Sequence, residues 1–231
     1  MDQETRKGVI SWAVKGVLFK AFVGVVLMLS AGRWDWVAGW FYVGIFLAFD
    51  AATALVALPR DPQFLIERSR SNPDAKDWDK ILMPIASGFL PLLSWVLAGL
   101  NERWNWQPTL GGGWLIAGSI LTIVGYAILV WAMSANRFFS PFVRIQQERG
   151  HQVADSGPYS IIRHPGYLGA IGFSVGVPLL LGSLWALIPG LISAGLYILR
   201  TKLEDNTLAA ELPGYREYLD QVRYRLIPGV W

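Results

Sequence analysis

The stretch from Tyr167 to Leu199 reads "YLGAIGFSVGVPLLLGSLWALIPGLISAGLYIL" and carries no charged side chain. As one straight helix it would run to about 50 Å, well beyond the roughly 30 Å of hydrocarbon in a bilayer. Pro178, Gly182, Ser183 and Pro189 fall near its middle. These residues predict two shorter helices joined by a turn around Leu181–Ser183, a hairpin that dips into the bilayer and returns. Each arm is short for a full crossing, so a complete hairpin and a re-entrant loop both fit. In either case the chain comes back to the side it left. The polar segments before and after the stretch, Asn136–Arg163 and Arg200–Trp231, are then carried to a common rim.

Four more apolar stretches are long enough to cross, at about 20 residues per span. They are Val9–Ala31, Trp36–Leu58, Ile81–Leu100 and Trp114–Ala135. The composition agrees: 53% of the 231 residues are hydrophobic and 16% charged, against about 25% charged in soluble domains. Lys15 and Lys20 lie inside the first stretch, where a lysine at mid-bilayer costs about 2.5–3.5 kcal/mol. Either both lysines snorkel to the interface or the first turns of the segment lie along it. Lys20 also argues against a cleaved signal peptide ending at Ser30-Ala31-Gly32, because it interrupts the apolar core. Cysteine is absent, which excludes disulfides and thiolate chemistry, and two histidines, His151 and His164, are too few for a histidine-rich metal centre. Neither a metal nor a nucleic-acid partner is expected.

Basic residues test this layout independently. With the N-terminus inside, the inner segments hold Arg6, Lys7, Arg60, Arg68, Arg70, Lys76, Lys80, Arg137, Arg144, Arg149, Arg163, Arg200, Lys202, Arg216, Arg223 and Arg225. The outer loops keep only Arg33 and Arg103. The asymmetry is that of the positive-inside rule. Tryptophans at 34, 36, 40, 78, 104, 106 and 114 cluster at span ends, as an aromatic belt does. The acidic residues of the connection after the second span, among them Asp61, Glu67, Asp74, Asp77 and Asp79, read as a solvated surface charge set.

At the lip of the hairpin stands "SGPYSIIRHPGYLGAIG", Ser156–Gly172. Pro165 suits the first turn of a helix, where a missing N–H does no harm. Gly166 allows close approach there. Free N–H groups and the helix dipole favour an anion, and Arg163 and His164 add donors. The stretch therefore reads as an anion-receiving helix start at the membrane surface. On the far side of the hairpin, Arg200 and Glu204 are spaced i, i+4 and share a face if the helix continues. The pair is either a plain helix salt bridge or part of a site.

These residues resemble the isoprenylcysteine carboxyl methyltransferases and the related membrane phospholipid methyltransferases. The run "RHPGYLG", preceded by "GHQVADSGPY" and followed by "RTKLEDNTL…LPGYREY", carries the likeness over about Asn136–Pro228. The resemblance implies an all-α integral membrane protein: a multi-pass helical bundle with a C-terminal transmembrane helical hairpin and a cytoplasmic cofactor pocket. It implies a scaffold of about four spans in residues 1–135 and a methyltransferase region in 136–231. The implied activity is methyl transfer from S-adenosylmethionine to a lipophilic or prenylated acceptor, with membrane lipid as the surrounding partner. By motif, the implied cofactor residues are Gln146, His151, Gln152, Val153, Ala154, Tyr159, His164, Pro165, Gly166, Tyr167 and Glu204, while Arg200 addresses the acceptor carboxylate. Arg200 and Glu204 are the implied catalytic pair. The sequence departs from the family pattern in a shorter link between Gln146 and His151, in Ala154 for valine, and in Asp205 for a second glutamate. A bacterial inner membrane, with N-terminus and site cytoplasmic, is the expected location.

The residue types suit that chemistry. A carboxylate acceptor needs a cation to hold it, and Arg200 can offer a two-pronged contact. Glu204 can balance a sulfonium or ammonium charge, and Tyr159 and Tyr167 can stack on a base or face a cation. An amine acceptor would instead need a base, with Glu204 or His164 as candidates. Two other readings compete. An NADPH-dependent reductase of sterol or enone lipids can carry a similar Arg-His-x-x-Tyr string, but Glu204-Asp205 is a poor neighbour for a 2′-phosphate. A transporter subunit or assembly factor leaves the polar cluster at the hairpin mouth without a purpose. The terminal "VRYRLIPGVW" is expected to fold back over the pocket.

Overall fold

A computed structural model describes residues 3–69 and 74–231. Arg70, and the side chain of Arg68, both counted in the charge asymmetry, lie outside the described residues. The helices, in chain order, are α1 (Gln3–Ala31), α2 (Val37–Ala57), α3 (Pro62–Ser69), α4 (Asp77–Trp104), α5 (Gly112–Ala135), α6 (Pro165–Leu180), α7 (Leu184–Glu211) and α8 (Tyr215–Gln221). Of these, α1, α2, α4, α5 and α7 are long and apolar enough to cross a membrane, and α6 is a shorter apolar helix. The chain is a multi-pass helical membrane protein. Its outward faces carry large apolar side chains such as Leu18, Leu29, Leu55, Ile81 and Ile116, a surface that only lipid covers favourably.

The hairpin turns where its composition predicts. Gly182 takes a positive φ of 75°, and the Ser183 hydroxyl accepts the Ala186 N–H at 3.2 Å to cap α7. The arms are unequal, which corrects the expectation of two short ones. At 1.5 Å per residue, the 16 residues of α6 span about 24 Å and the 28 of α7 about 42 Å. Pro189 lies within α7 without ending it, and the adjacent Gly190 lets the helix press onto the Ser174 carbonyl of α6, where a Cβ would sit 2.4 Å from that oxygen. The turn also reaches the far end of the bundle. The Trp185 indole donates to the Gln107 carbonyl at 3.3 Å, and its ring meets Trp106 at 6.3 Å. Both arms run from one end of the bundle to the other, and the helix continues unbroken through Arg200, Glu204 and Asp205.

Small residues seat α6 against α5. A Cβ on Gly125 would lie 2.7 Å from the Gly169 carbonyl oxygen, and one on Gly169 would lie 2.5 Å from that of Gly125. Gly118 and Gly176 are equally tight against backbone of the facing helix. In lipid, where apolar surface gives helices no reason to separate from solvent, such backbone approach supplies the association energy. Gly125→Leu should therefore push α6 away by backbone contact that no rotamer relieves. We expect a loss of at least about 1–3 kcal/mol, read as lowered thermal stability in detergent. An unchanged melting temperature would contradict this packing.

Two polar features of the bundle are set by tertiary contacts. Lys20 does not snorkel. It is buried, with its ammonium 2.5 Å from Asp50 Oδ2 on α2 and 4.3 Å from the centre of the Phe46 ring. A paired lysine costs far less in hydrocarbon than a bare one. The second feature is a wide π-helical turn at Ile85–Phe89 in α4, between Pro84 and Pro91. Such turns displace backbone hydrogen bonds. The Ala86 carbonyl accepts instead from the Ser193 hydroxyl of α7 at 2.7 Å.

Candidate active site

All the polar segments named above meet at one end of the bundle, around α7. Its residue Asp205 is almost fully buried. Its Oδ1 accepts from Arg163 Nε (2.9 Å) and the Tyr215 hydroxyl (2.9 Å) and lies 3.1 Å from His164 Nε2. Its Oδ2 accepts from Arg163 Nη2 (3.0 Å) and Arg225 Nε (2.9 Å). The anion expected at the α6 start is thus the protein's own carboxylate. Arg163 and His164 are spent on Asp205 and are not free donors to an outside anion. The remaining Arg163 amine, Nη1, donates to the carbonyls of Val222 and Arg223. The tail adds backbone bonds, Arg163 N–H to Tyr224 O and His164 N–H to Arg225 O, each 2.9 Å. It does fold back, but behind the Arg163-His164 pair; the wall of the cavity is made by α8, through Tyr215 and Tyr218.

Arg200 is the second hub. Its Nε and Nη2 contact the two oxygens of Asp79 at 2.6 and 2.8 Å, and Nη2 also donates to the Pro141 carbonyl at 2.6 Å. Asp79 has no exposed surface, so the reading of it as part of a solvated charge set is wrong. It begins α4, against the bundle, and it also accepts the Val143 N–H at 2.6 Å. Two consequences follow for Arg200. Its side-on edge is filled by Asp79, so the two-pronged grip expected of it is not open there. Nη1 makes none of these bonds. Of the two readings of the Arg200-Glu204 pair, the plain i, i+4 salt bridge is not formed. Glu204 accepts from the Tyr167 hydroxyl, and among the described residues no basic group lies within ion-pair distance of it.

Between these hubs lies a cavity of about 280 Å³. One end is walled by the strip His151, Gln152, Val153 and Ala154 with Tyr159, His164, Gly166, Tyr167, Arg200 and Glu204. The other end runs into the bundle among Phe46, Phe49, Met83, Ser87, Tyr126, Leu129 and Phe173. The apolar end is built from helices whose sequence offers no motif, and only their packing places those rings; Tyr126 stacks on Phe49 at 4.7 Å and on Phe173 at 4.8 Å. Gln146 and Pro165 do not line the cavity. Gln146 is buried beside it, its amide donating to the Phe138 carbonyl (2.5 Å) and accepting from Arg149 (2.7 Å). Pro165 is buried under the first turn of α6.

The groups around the polar end are held neutral where neutrality serves packing. Burial pushes the Tyr159 and Tyr218 phenols up, so both stay protonated donors, and Tyr218 donates to the Tyr159 carbonyl at 2.6 Å. Burial, followed by the Arg144 and Arg149 charges, lowers His151 to about 4. Its Nδ1 faces the Gln146 N–H at 3.3 Å, a bond that a proton on that nitrogen would break. His151 takes up its proton near pH 6.5 when unfolded and near 4 when folded, so the unfolded state binds more protons between those values. Stability then falls as pH drops from about 6.5 towards 4. Thermal unfolding should show a steeper loss from pH 7 to pH 5 for the unaltered protein than for His151→Gln; parallel curves would contradict the buried neutral ring.

Residues 118–210, from within α5 almost to the end of α7, match the model of the isoprenylcysteine carboxyl methyltransferase family. This segment is similar to that family. The matched segment holds the His151–Ala154 strip, Tyr159, the Arg163-His164 pair, Arg200, Glu204 and Asp205. It does not hold Asp79 or α8, which complete the site from outside it. Protein-S-isoprenylcysteine O-methyltransferase B of Arabidopsis thaliana is 32% identical over 83 residues, which is 36% of this chain and 39% of that protein. Protein-S-isoprenylcysteine O-methyltransferase of Saccharomyces cerevisiae is 37% identical over 67 residues, 29% of this chain and 28% of that protein. The chain thus aligns with about two fifths or less of the length of these relatives. In the family segment, the departure at Asp205 keeps the negative charge while shortening the arm by one methylene, and the geometry above shows that charge fully engaged.

Proposed function

We propose that this chain is a membrane-embedded, S-adenosylmethionine-dependent methyltransferase that esterifies the carboxylate of a lipophilic acceptor of isoprenylcysteine type. The observation that carries the reading is the Glu204 carboxylate. It stands in the wall of the cavity without a basic partner among the described residues, while the buried carboxylates beside it, Asp79 and Asp205, are each matched to arginine. A half-buried anion so placed suits a cationic ligand. The His151–Ala154 strip offers backbone groups, Tyr159 a flat face, and Glu204 the counter-charge, so the polar end fits the cofactor. When bound, S-adenosylmethionine supplies an electrophilic methyl on a sulfonium and leaves as a neutral thioether.

The chain's own residues do the rest. The aromatic end takes an apolar chain and shuts out water, which favours a step in which opposite charges neutralise. Arg200, held by Asp79, presents Nη1 as the cation for the acceptor carboxylate. A carboxylate carries no proton to remove, so for this acceptor neither Glu204 nor His164 has to act as a base. An amine acceptor would need a base, and the phospholipid N-methyltransferase reading has less support because the relatives reported above are named as isoprenylcysteine O-methyltransferases. The NADPH reductase reading has less still, since Glu204, without a basic partner among the described residues, opposes a 2′-phosphate. We assign residues 1–135 to the scaffold and 136–231 to the chemistry, with Asp79 as the scaffold's contribution to the site. The basic asymmetry supports a cytoplasmic site and N-terminus. The relatives reported above come from plants and yeast, so the bacterial inner membrane rests on the sequence reading alone.

The test uses purified protein in nanodiscs, methyl-labelled S-adenosylmethionine and an N-acetyl-S-farnesylcysteine acceptor. A base-labile methyl ester is expected. Glu204→Gln, which keeps shape and removes charge, should weaken cofactor binding by roughly ten- to a hundredfold, the range of a charge-assisted contact. Absence of cofactor binding by the unaltered protein would overturn the proposal.

A further inference from the structure

A second hollow, of about 190 Å³, opens at the same end of the bundle on the other face of α5. Its sides are Thr53, Val56 and Ala57 of α2, Phe64 of α3, and Val130 and Met133 of α5. Ala57, Phe64 and Met133 belong to a buried apolar cluster, so the floor is solid. Arg60 and Arg137 stand at the rim with Asp61. Asp61 is engaged, by Arg149 at 3.4 Å and by the Gln63 N–H at 3.1 Å.

The two rim arginines differ from their neighbours. Arg144, Arg149, Arg163, Arg200 and Arg225 each meet a carboxylate. Among the described residues, Arg60 and Arg137 meet none. They are nonetheless held in place: Arg60 Nη1 donates to the Ser134 carbonyl at 3.2 Å, and the Arg137 guanidinium lies 4.7 Å from the centre of the Phe138 ring. Two fixed and uncompensated guanidinium groups above an apolar slot, where two membrane-crossing helices end, match a phosphodiester joined to acyl chains. The slot reaches from Arg60, just beyond the end of α2, down to Thr53, about 6 Å inside that helix, enough for the glycerol and the first methylenes of a chain.

We propose that this hollow is a specific site for an anionic glycerophospholipid, with its phosphate on Arg60 and Arg137 and its acyl chain along α2 and α5. Occupancy would brace the Asn136–Val143 loop, since Arg137 lines the hollow and its guanidinium rests on the ring of Phe138, which lines the main cavity. The site is independent of the reaction assigned above.

Native mass spectrometry of the full chain, released from nanodiscs of equal phosphatidylglycerol and phosphatidylcholine, tests this. Phosphatidylglycerol should be retained preferentially. Arg60→Gln and Arg137→Gln should each cut that preference roughly fivefold. Met133→Trp, which fills the slot and keeps both arginines, should also abolish it. Equal retention of the two lipids by the unaltered protein overturns the proposal, as does full retention by the Arg60→Gln/Arg137→Gln double variant with unchanged helix content. In detergent, dihexanoyl phosphatidylglycerol should raise the melting temperature and inorganic phosphate should not; an equal shift from phosphate would make this a free-anion site and overturn the lipid assignment.

Discussion

Asp205→Ala is expected to cost about 3–5 kcal/mol of stability, because it strands Arg163, which is buried, and removes the anion shared by His164, Arg225 and Tyr215. The loss should be structural before it is chemical. Asp205 joins α7, the start of α6, α8 and the tail at one point, so its removal releases both the Arg163-His164 corner and the chain end that braces it. Asp205→Glu, which restores the charge on a longer arm, should recover most of the stability. Asp205→Asn should recover less, since an amide does not balance two guanidinium groups. Thermal unfolding in detergent separates the three. If Asp205→Asn proved as stable as the unaltered protein, the charge of the hub would be irrelevant and the network above misjudged.

Asp79→Ala should be destabilising on a similar scale, about 3–5 kcal/mol, for a different reason. Arg200 is left with an uncompensated charge in the bundle, and the Val143 N–H loses its acceptor. The informative variant is the pair Asp79→Leu/Arg200→Met. Replacing a buried ion pair by apolar residues of similar volume is often neutral or stabilising, so the double variant should regain most of the stability lost by either single one. Under the proposed function it should nevertheless fail to methylate, because Arg200 is the cation assigned there to the acceptor carboxylate. A stable and active double variant would remove Arg200 from the reaction. An unstable one would show that Asp79 matters mainly through the loop at Pro141–Val143.

The elements that identify the fold were legible because membrane insertion imposes a simple rule on each segment by itself. Length and apolarity mark the crossings, and Gly182-Ser183 marks the turn of the hairpin. The unequal arms were not legible. Arg200 to Glu211 is too polar to read as part of a crossing, yet it continues α7 because Asp205 and Arg200 find partners there. The strip His151–Ala154, Tyr159, Tyr167 and Glu204 was found through its motif, and these residues line the cavity. Gln146 was found the same way and turned inward, since the loop that bears it uses its amide to hold Phe138 and Arg149.

Asp79 and Asp50 were missed, although each carries a faint signal: a carboxylate inside or directly against an apolar run. Such a residue must have a basic partner, but nothing local says which. Lys20 and Arg200 lie thirty and more than a hundred positions away. The sequence by itself determined the segments, the side on which the chain returns, and the chemical types gathered at the rim. Those depend on the free energy of each residue in water or lipid, which is a property of the residue. Only the tertiary structure decided which charges cancel, which carboxylate stays open, and where the aromatic rings enclose a cavity. Those depend on distances between side chains remote in the chain, where a shift of a few ångströms turns a paired charge into a costly one.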